Sequence, residues 1–562
     1  MLFRRRRKKY KNHELAPDEI FLDSSNLPEF NQGSLEGRLE KPISRGSYLG
    51  IAGVMGLILF ALVAQAANLG IMQGTKYALQ SERNRLRPEV IFAKRGAIMD
   101  RNGTHLVSNN EEPQEGGGMQ IRRTYEAPGF AHLLGYVSYP KKDSSGNYYD
   151  TDITGLAGVE AAFNDRLAGE NGTLLIEENA KGDLQSQGSV TPVKNGDAVT
   201  LSIDARAQRA FYDAIKERAD ASGFQGGAAV LMDVETGEVH ALVSYPEYDP
   251  NILSKGTPAD VIEGYANDHR QVYLDRAISG LYTPGSIVKP AEAAGAISDG
   301  VIFPEKSIYS AGSISIPNPY DASKPSIFKD WKAHGWVDAR RAIAVSSDIY
   351  FYAVGGGYQD QRGLGIERLG YWFRAFGLTS KTGIELGNEA AGIMPSPAWK
   401  EENFGDPWRL GDTYNTSIGQ YGMQITMMEI ARAYAAIANG GRLVRPTLRF
   451  GQSTASEKIE ISPYALQVAR EGMRDGVIGG GTSQGLGDLS FARLAGKTGT
   501  AQLGVNNEFY NMWAVGFWPY EHPKYVYVVL MDRGPAGTTV GSIAATHKAL
   551  SGLHEAAPEY FE

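Results

Sequence analysis

No cysteine occurs anywhere in the 562 residues of the chain. Disulfides, a thiol nucleophile, thiolate zinc sites and a lipidated cysteine are therefore excluded. The compartment stays open, because a protein of this length can be stable outside the cytoplasm without disulfides. The nine histidines are scattered and form no H-E-x-x-H, which removes support for histidine-based zinc hydrolysis. Net charge is −8, so the overall balance does not point to nucleic acid. No repeat of solenoid period is visible. What remains is ordinary: 42% apolar and 21% charged residues, with a length that suits two or three domains around real cores.

One basic run and one uncharged run organise the N-terminal part. Arg4-Arg5-Arg6-Arg7-Lys8-Lys9 opens a polar stretch with Pro17, Pro28, Asn31 and Gly33, and reads as a disordered tail that sets topology. No charge occurs from Gly46 to Thr75, and Tyr48 to Met72 is apolar enough to cross a bilayer as one helix. Arg38, Lys41 and Arg45 place the N-terminus inside, although Lys76, Arg83, Arg85 and Arg87 follow the span. A signal peptide cleaved after Ala64-Gln65-Ala66 is the rival, and the long leading tail argues for an uncleaved anchor.

Residues 76 to about 197 alternate short apolar runs with turns. Val90-Ile91-Phe92, Ala97-Ile98-Met99 and Leu174-Leu175-Ile176 read as strands, while Asn102-Gly103 and Asn171-Gly172 read as turns. This predicts a β-rich module, with Glu111 to Met119 a loose glycine-rich link inside it. Beyond it, Val199 to Ile203 predicts a strand, and Ala205 to Ala219 a helix that buries Phe211, Ile215 and Ala219. Ala228 to Val234 and Glu238 to Ser244 predict a hairpin around Glu235-Thr236-Gly237. A helix over Thr426 to Asn439 stops at Gly440-Gly441. Trp513 to Pro519 with Tyr525 to Asp532 predicts a second hairpin, and Ile543 to Leu553 a closing helix. Strands at both ends with helices between imply an α+β domain.

Three short motifs occur in order. Ser286-Ile287-Val288-Lys289 is S-x-x-K, Ser346-Ser347-Asp348 is S-x-D, and Lys497-Thr498-Gly499 is K-T-G. Each alone is weak; their order, separation and settings make the set specific. Ser286 follows the turn Thr283-Pro284-Gly285 at the start of an apolar helical run, one turn before Lys289 and on the same face. The helix N-terminus offers backbone N–H groups and a positive dipole end to an oxyanion. Lys497 follows a strand expected over Phe491 to Ala495, so Lys497 and Gly499 would face one side and Thr498 and Thr500 the other. Gly499 would let a substrate strand lie close. Two decoys are set aside. Gly481-Thr482-Ser483-Gln484-Gly485 matches G-x-S-x-G without the preceding strand of a nucleophile elbow, and Gly479 to Gly485 lacks the G-K-[ST] of a phosphate loop.

Along nearly its whole length after the anchor, the chain resembles class B penicillin-binding proteins. Arg95-Gly96-Ala97-Ile98-Met99-Asp100-Arg101-Asn102-Gly103 is similar to their R-G-x-I-x-D-R-N-G signature, and Gly155-Leu156-Ala157-Gly158-Val159-Glu160 to their G-x-x-G-x-E segment. Asp330-Trp331, Tyr350-Phe351-Tyr352 and Gly411-Asp412-Thr413 to Gly419-Gln420 also match. The S-x-D form, Thr382-Gly383-Ile384-Glu385-Leu386 and Pro395 to Lys400 are most similar to penicillin-binding protein 2, of the elongation type. The stretch from Asn109 to His132 is shorter than the family pattern. Gln420-Tyr421-Gly422 replaces the usual G-Q-G-Y, a change expected to be structural.

The resemblance implies an α+β penicillin-binding/serine β-lactamase-like transpeptidase domain, an antiparallel sheet with helices, on a β-rich pedestal behind one transmembrane helix. The expected division is a cytoplasmic tail over residues 1–45, an anchor over 46–72, a pedestal with a shortened head over 73–197 and a transpeptidase domain over 198–562. The implied activity is a peptidoglycan D,D-transpeptidase of the inner membrane with its catalytic domain in the periplasm, one that also binds β-lactams covalently. Ser286 would attack the penultimate D-Ala carbonyl of a stem peptide and release D-Ala. Lys289, its pKa lowered by burial and by the cation Lys497, would take the proton, and Ser346 would relay it. Backbone N–H groups of Ser286 and Thr500 would form the oxyanion hole. Lys497, Thr498 and Thr500, beside Gly499, would hold the terminal carboxylate. Asp348 cannot donate as an Asn would, and orienting a lysine is the alternative. No cofactor or metal is implied. A D-Ala-D-Ala carboxypeptidase and a non-catalytic β-lactam sensor or scaffold are the alternatives. A SEDS-type glycosyltransferase is the expected partner, with Gly50, Gly53 and Gly56 of the membrane helix and the lower module near Arg95 to Gly103 as the two candidate contacts. The shortened pedestal head predicts weak or absent scaffold binding.

Overall fold

The computed structural model describes residues 44–78, 86–113, 119–126, 128–178, 184–318, 320–321, 323–452 and 454–562. The basic run Arg4 to Lys9 and the centre of the Glu111 to Met119 link lie outside them. The chain packs as two units. The smaller comprises residues 1–87 and 178–183, and the larger 88–177 and 184–562.

The longest described element of the smaller unit is a helix. Ser44 starts it by accepting from Ser47 N, and Arg45–Ala67 runs on through a wider turn at Asn68–Met72. The helix has 28 residues, with a mean hydropathy of 2.2 over its most apolar 18-residue window, and is long and apolar enough to span a membrane. At Gly50, Gly53 and Gly56 an added Cβ would meet nothing within 4 Å.

In the larger unit, Ile98–Met99, His105–Pro113 and Met119–Tyr125 form an antiparallel ribbon, and Val199–Thr200 adds in parallel to Ile98–Met99. Glu111 to Pro113 and Met119, expected in a loose link, belong to paired strands. Arg95 and Arg123 converge on Glu160, at 2.5 and 2.6 Å, and all three side chains are fully buried. Asp100 accepts from the backbone of Asn102 and Thr104 and also from Ala205 N, at the start of the Ala205–Ser222 helix. The R-G-x-I-x-D-R-N-G stretch is thus a joint: its arginine closes the lower core and its aspartate ties that core to the next helix.

Five antiparallel strands carry the rest, in the order Val239–Tyr245, Gly226–Asp233, Tyr525–Pro535, Phe509–Trp518, Ala495–Leu503. Alternation divides the faces, as period-two geometry demands. Ala228, Val230 and Met232 join one core with Val526, Val528 and Leu530, while Ala229 and Leu231 join the other with Tyr527, Val529 and Met531. The second face is covered by Ala205–Ser222, capped by Asp204 and ended at left-handed Gly223, and by Ser542–Ala556. The first face receives Met427–Ala438, whose capping box joins Thr426 and Glu429, together with Lys289–Ser298 and Pro463–Ile478. Among the described residues, the edge strand Ala495–Leu503 pairs only with Phe509–Trp518.

Candidate active site

A cleft of about 960 Å³ brings the three motifs together. Ser286, Ser346, Asp348, Thr498, Gly499 and Thr500 line it, and Lys289 and Lys497 lie fully buried beneath its floor.

Each motif reaches the cleft by a different local device. Ser286 sits on a 3-10 turn, Gly285–Val288, that runs into the α-helix Lys289–Ser298. The sequence reading placed it on an α-helix. The tighter turn brings residues three apart nearly into register, which keeps Ser286 and Lys289 on one edge. Gly285 begins the turn at φ +57°, where a Cβ would lie 3.1 Å from Thr500 O.

Ser346 ends the Ala339–Val345 helix at φ +60°, an uncommon backbone state for a residue with a side chain. That reversal lets Ser347 start the next helix, Asp348–Gly356, so Ser346 and Asp348 sit at a corner between two helices. The corner is held by Asp330, which accepts from Ser347 Oγ at 2.8 Å, Ile349 N at 3.2 Å and Ser310 Oγ at 3.1 Å. His334 Nε2 lies 3.6 Å from the same carboxylate.

The third motif departs from expectation. Phe491 to Leu494 is not a strand; the strand begins at Ala495 and carries Lys497-Thr498-Gly499 itself. The alternation holds, since Lys497 and Gly499 are buried and Thr498 and Thr500 face the cleft. Gly499, however, does not clear space for a substrate strand. A Cβ there would meet Pro284 O at 2.8 Å and Ile287 Cγ2 at 2.9 Å, so its bareness admits the turn that carries Ser286.

Ser346 Oγ is where the two lysines meet. Lys497 Nζ donates to it at 2.8 Å and to Thr498 O at 2.7 Å. Lys289 Nζ lies 3.3 Å from that oxygen and donates to Ser346 O at 2.8 Å and Asp348 Oδ1 at 2.6 Å. Ser286 Oγ has no hydrogen-bond partner among the described residues. Burial, and then the charge of Lys289, push the Lys497 amine well below the usual lysine range, against the opposing pull of Asp348. Lys497, expected among the groups that hold a substrate carboxylate, lies under the floor, bonded to Ser346. Thr498, Thr500 and Gln502 are the polar side chains that this strand presents to the cleft.

Several lining residues carried no role from sequence. Trp331 forms a wall and donates from Nε1 to Val345 O at 3.2 Å. Trp513 lines the cleft and donates to Thr283 O at 3.1 Å, fixing the approach to Ser286. Thr482, from the decoy Gly481 to Gly485, also lines it. Its loop follows a helix, Pro463–Ile478, as the rejection of a nucleophile elbow required. Tyr421 takes φ +58° between Trp399 and Trp408, and a Cβ at Gly422 would meet the Trp399 ring at 2.3 Å. The altered Gln420-Tyr421-Gly422 run therefore shapes one end of the cleft.

Comparison with known proteins agrees with this geometry. The Penicillin binding protein transpeptidase domain matches residues 227–549, and the Penicillin-binding Protein dimerisation domain matches 118–201. Peptidoglycan D,D-transpeptidase MrdA of Haemophilus influenzae is 31% identical over 452 residues, covering 73% of this chain and 66% of the relative. The protein of the same name from Escherichia coli K12 is 27% identical over 602 residues, 88% of this chain and 92% of the relative. Among solved structures, a complex between Penicillin-Binding Protein (PBP2) and MreC from Helicobacter pylori superposes with a TM-score of 0.70 at 26% identity, over 84% of this chain and 99% of that one. A peptidoglycan synthase complex, described as coordinating polymerization and crosslinking, gives 0.70 at 26% identity, over 91% and 98%. With one family matched across more than half its length and the motifs of that family gathered in one cleft, the chain belongs to the penicillin-binding protein transpeptidase family.

Proposed function

We propose that Ser286 is the acylated nucleophile of this chain, served by Lys289, Ser346 and Lys497. The chain is a peptidoglycan D,D-transpeptidase, and the observation that carries the residue assignment is the meeting of two buried lysines on Ser346 Oγ beneath Ser286. Two amines on one hydroxyl can share a single proton. Burial and the Lys289 charge make Lys497 a weaker base than an ordinary lysine, so the pair can hold one proton. In the reactive arrangement that proton has passed through Ser346 Oγ onto Lys497, and the neutral Lys289 accepts the Ser286 proton. Ser286 Oγ bonds the penultimate D-Ala carbonyl carbon. Collapse breaks the amide C–N bond, and Ser346 returns a proton to the departing D-Ala nitrogen. A side-chain amine of a neighbouring stem peptide then takes the acyl group and restores the Ser286 hydroxyl. Backbone N–H groups of Ser286 and Thr500 stabilise the oxyanion, and Thr498 and Thr500 receive the terminal carboxylate. Asp348 orients Lys289 through their 2.6 Å ion pair, the alternative that sequence left open.

The remaining architecture follows the same reading. Residues 1–45 form the cytoplasmic tail, 46–72 the anchor, 73–197 the pedestal and 198–562 the transpeptidase domain, with the last two in the periplasm. Wall elongation is the process served. The structural relative in a peptidoglycan synthase complex supports docking to a SEDS-type polymerase; the relative solved with MreC weighs against the weak scaffold binding expected from the short link around Glu111 to Met119. Product analysis tests the activity: the purified full chain supplied with uncross-linked glycan strands yields dimeric muropeptides and free D-Ala. Tetrapeptide monomers alone would instead mean a carboxypeptidase.

A further inference from the structure

A second cavity, of about 540 Å³, shares no residue with the catalytic cleft. Met119–Tyr125 and Val137 to Lys142 supply most of its wall, and the end of the Pro250–Lys255 helix closes it. Four cations line it, Arg122, Lys141, Lys142 and Lys255, and no acid does, in a chain whose net charge is −8. Only Lys255 has a carboxylate partner among the described residues, Glu112 at 4.0 Å, and Glu112 is not part of the lining. Arg122 stacks over the Tyr139 ring at 4.4 Å, and its buried Nε has no hydrogen-bond partner among the described residues. Lys142 stands over the Tyr148 ring at 4.6 Å.

These features narrow the occupant. The volume suits a small ligand and is far too small for a folded partner. Unneutralised cations select anionic groups, and the guanidinium, braced on a ring, presents the planar fork that carboxylates fit. The walls between them, with Ile121, Leu156 and Leu253, accept short aliphatic side chains. A small molecule with several carboxylates on an alanine-rich backbone meets all three demands, and the stem peptide of the wall polymer has that composition. We propose that this cavity binds an acidic stem peptide of peptidoglycan at a non-catalytic site, anchoring the strand being processed. The identity of the ligand rests on the transpeptidase reading; the site itself rests on the cavity.

The test uses the full chain in detergent with Ser286 first blocked by penicillin, and titrates in the soluble disaccharide tetrapeptide by calorimetry. Expected are saturable binding, a loss of at least roughly tenfold in the doubly substituted Lys142→Glu, Lys255→Glu chain, and a similar loss for the peptide with its carboxylates amidated. Both lysines are exposed, so the variant should fold, and its unchanged rate of penicillin acylation checks that it does. The proposal is overturned if the blocked wild type shows no saturable binding, or if the variant and the amidated peptide bind as well as their parents. It is overturned equally if a hexaglutamate peptide binds as tightly as the muropeptide. A wild-type chain that penicillin fails to acylate would instead count against the transpeptidase reading.

Discussion

Lys289 Nζ and Asp348 Oδ1 form an ion pair of 2.6 Å whose ammonium end is fully buried and whose carboxylate end reaches the cleft. The pair holds Lys289 Nζ on Asp348, and Ser286 Oγ has no hydrogen-bond partner among the described residues. Replacing the carboxylate by an amide removes one charge-assisted bond and the negative charge that favours protonated amines around it. Asp348→Asn should slow penicillin acylation by about tenfold. Its rate should also begin to rise at a lower pH than in the wild type, because Asp348 is what pulls the Lys497 amine upward. Stopped-flow acylation across pH measures both.

Lys497 sets the acid side of the same profile. Its amine is depressed by burial and by Lys289, and in the scheme above it must first be neutral so that the lysine pair carries one proton. Acylation should therefore be slow where Lys497 is charged and rise with pH as it loses its proton, over a range below the ordinary lysine value of 10.5. Lys497→Gln cannot perform this transfer. It should cut acylation by about 10² to 10⁴ and abolish the rising limb. A rising limb unchanged in that variant would assign the titration to another group.

Asp330 acts on the reaction through the corner it holds. Three donors, Ser310 Oγ, Ser347 Oγ and Ile349 N, converge on one of its oxygens. Asp330→Ala should leave the Ser346 reversal unsupported and reduce acylation by at least about tenfold, with a loss of about 1–3 kcal/mol in stability. Asp330→Asn keeps the shape and one acceptor oxygen and should recover only part of the rate, whereas a purely steric role would give full recovery.

The Arg95–Glu160–Arg123 cluster tests the lower core. Both guanidinium groups are fully buried and share one carboxylate. Glu160→Gln leaves two buried cations without a counter-charge and should cost about 3–5 kcal/mol, read as a lower denaturation midpoint. The cleft chemistry of the surviving folded fraction should be unaltered.

Sequence reading went furthest where the signal is local or periodic. The hairpin strands Gly226–Asp233 and Val239–Tyr245 and the capped helix from Thr426 follow from alternation and end signals, and each lies within two residues of its expected bounds. The motif serines and lysines were legible for the same reason, since each motif is a short run. What escaped depends on contacts distant in sequence. Asp330 holds Ser347 across 17 residues with no spacing rule to reveal it, and Lys497 reaches Ser346 across 151. Gly499 looked like a landing place for substrate because a strand edge was visible in sequence, but the turn packed on that edge was not. The strand carrying Lys497 starts later than expected because Phe491 belongs to a turn packed on His554 and Phe561.

The central claim is that Ser286 alone carries the acyl group. Mass spectrometry of the intact full-length chain after fluorescent penicillin, followed by identification of the labelled peptide, tests it most directly. The account predicts one adduct per chain, on the peptide containing Ser286, and none on a folded Ser286→Ala chain. Stoichiometric labelling of that variant, or an adduct on Ser346 or Ser483, would contradict it.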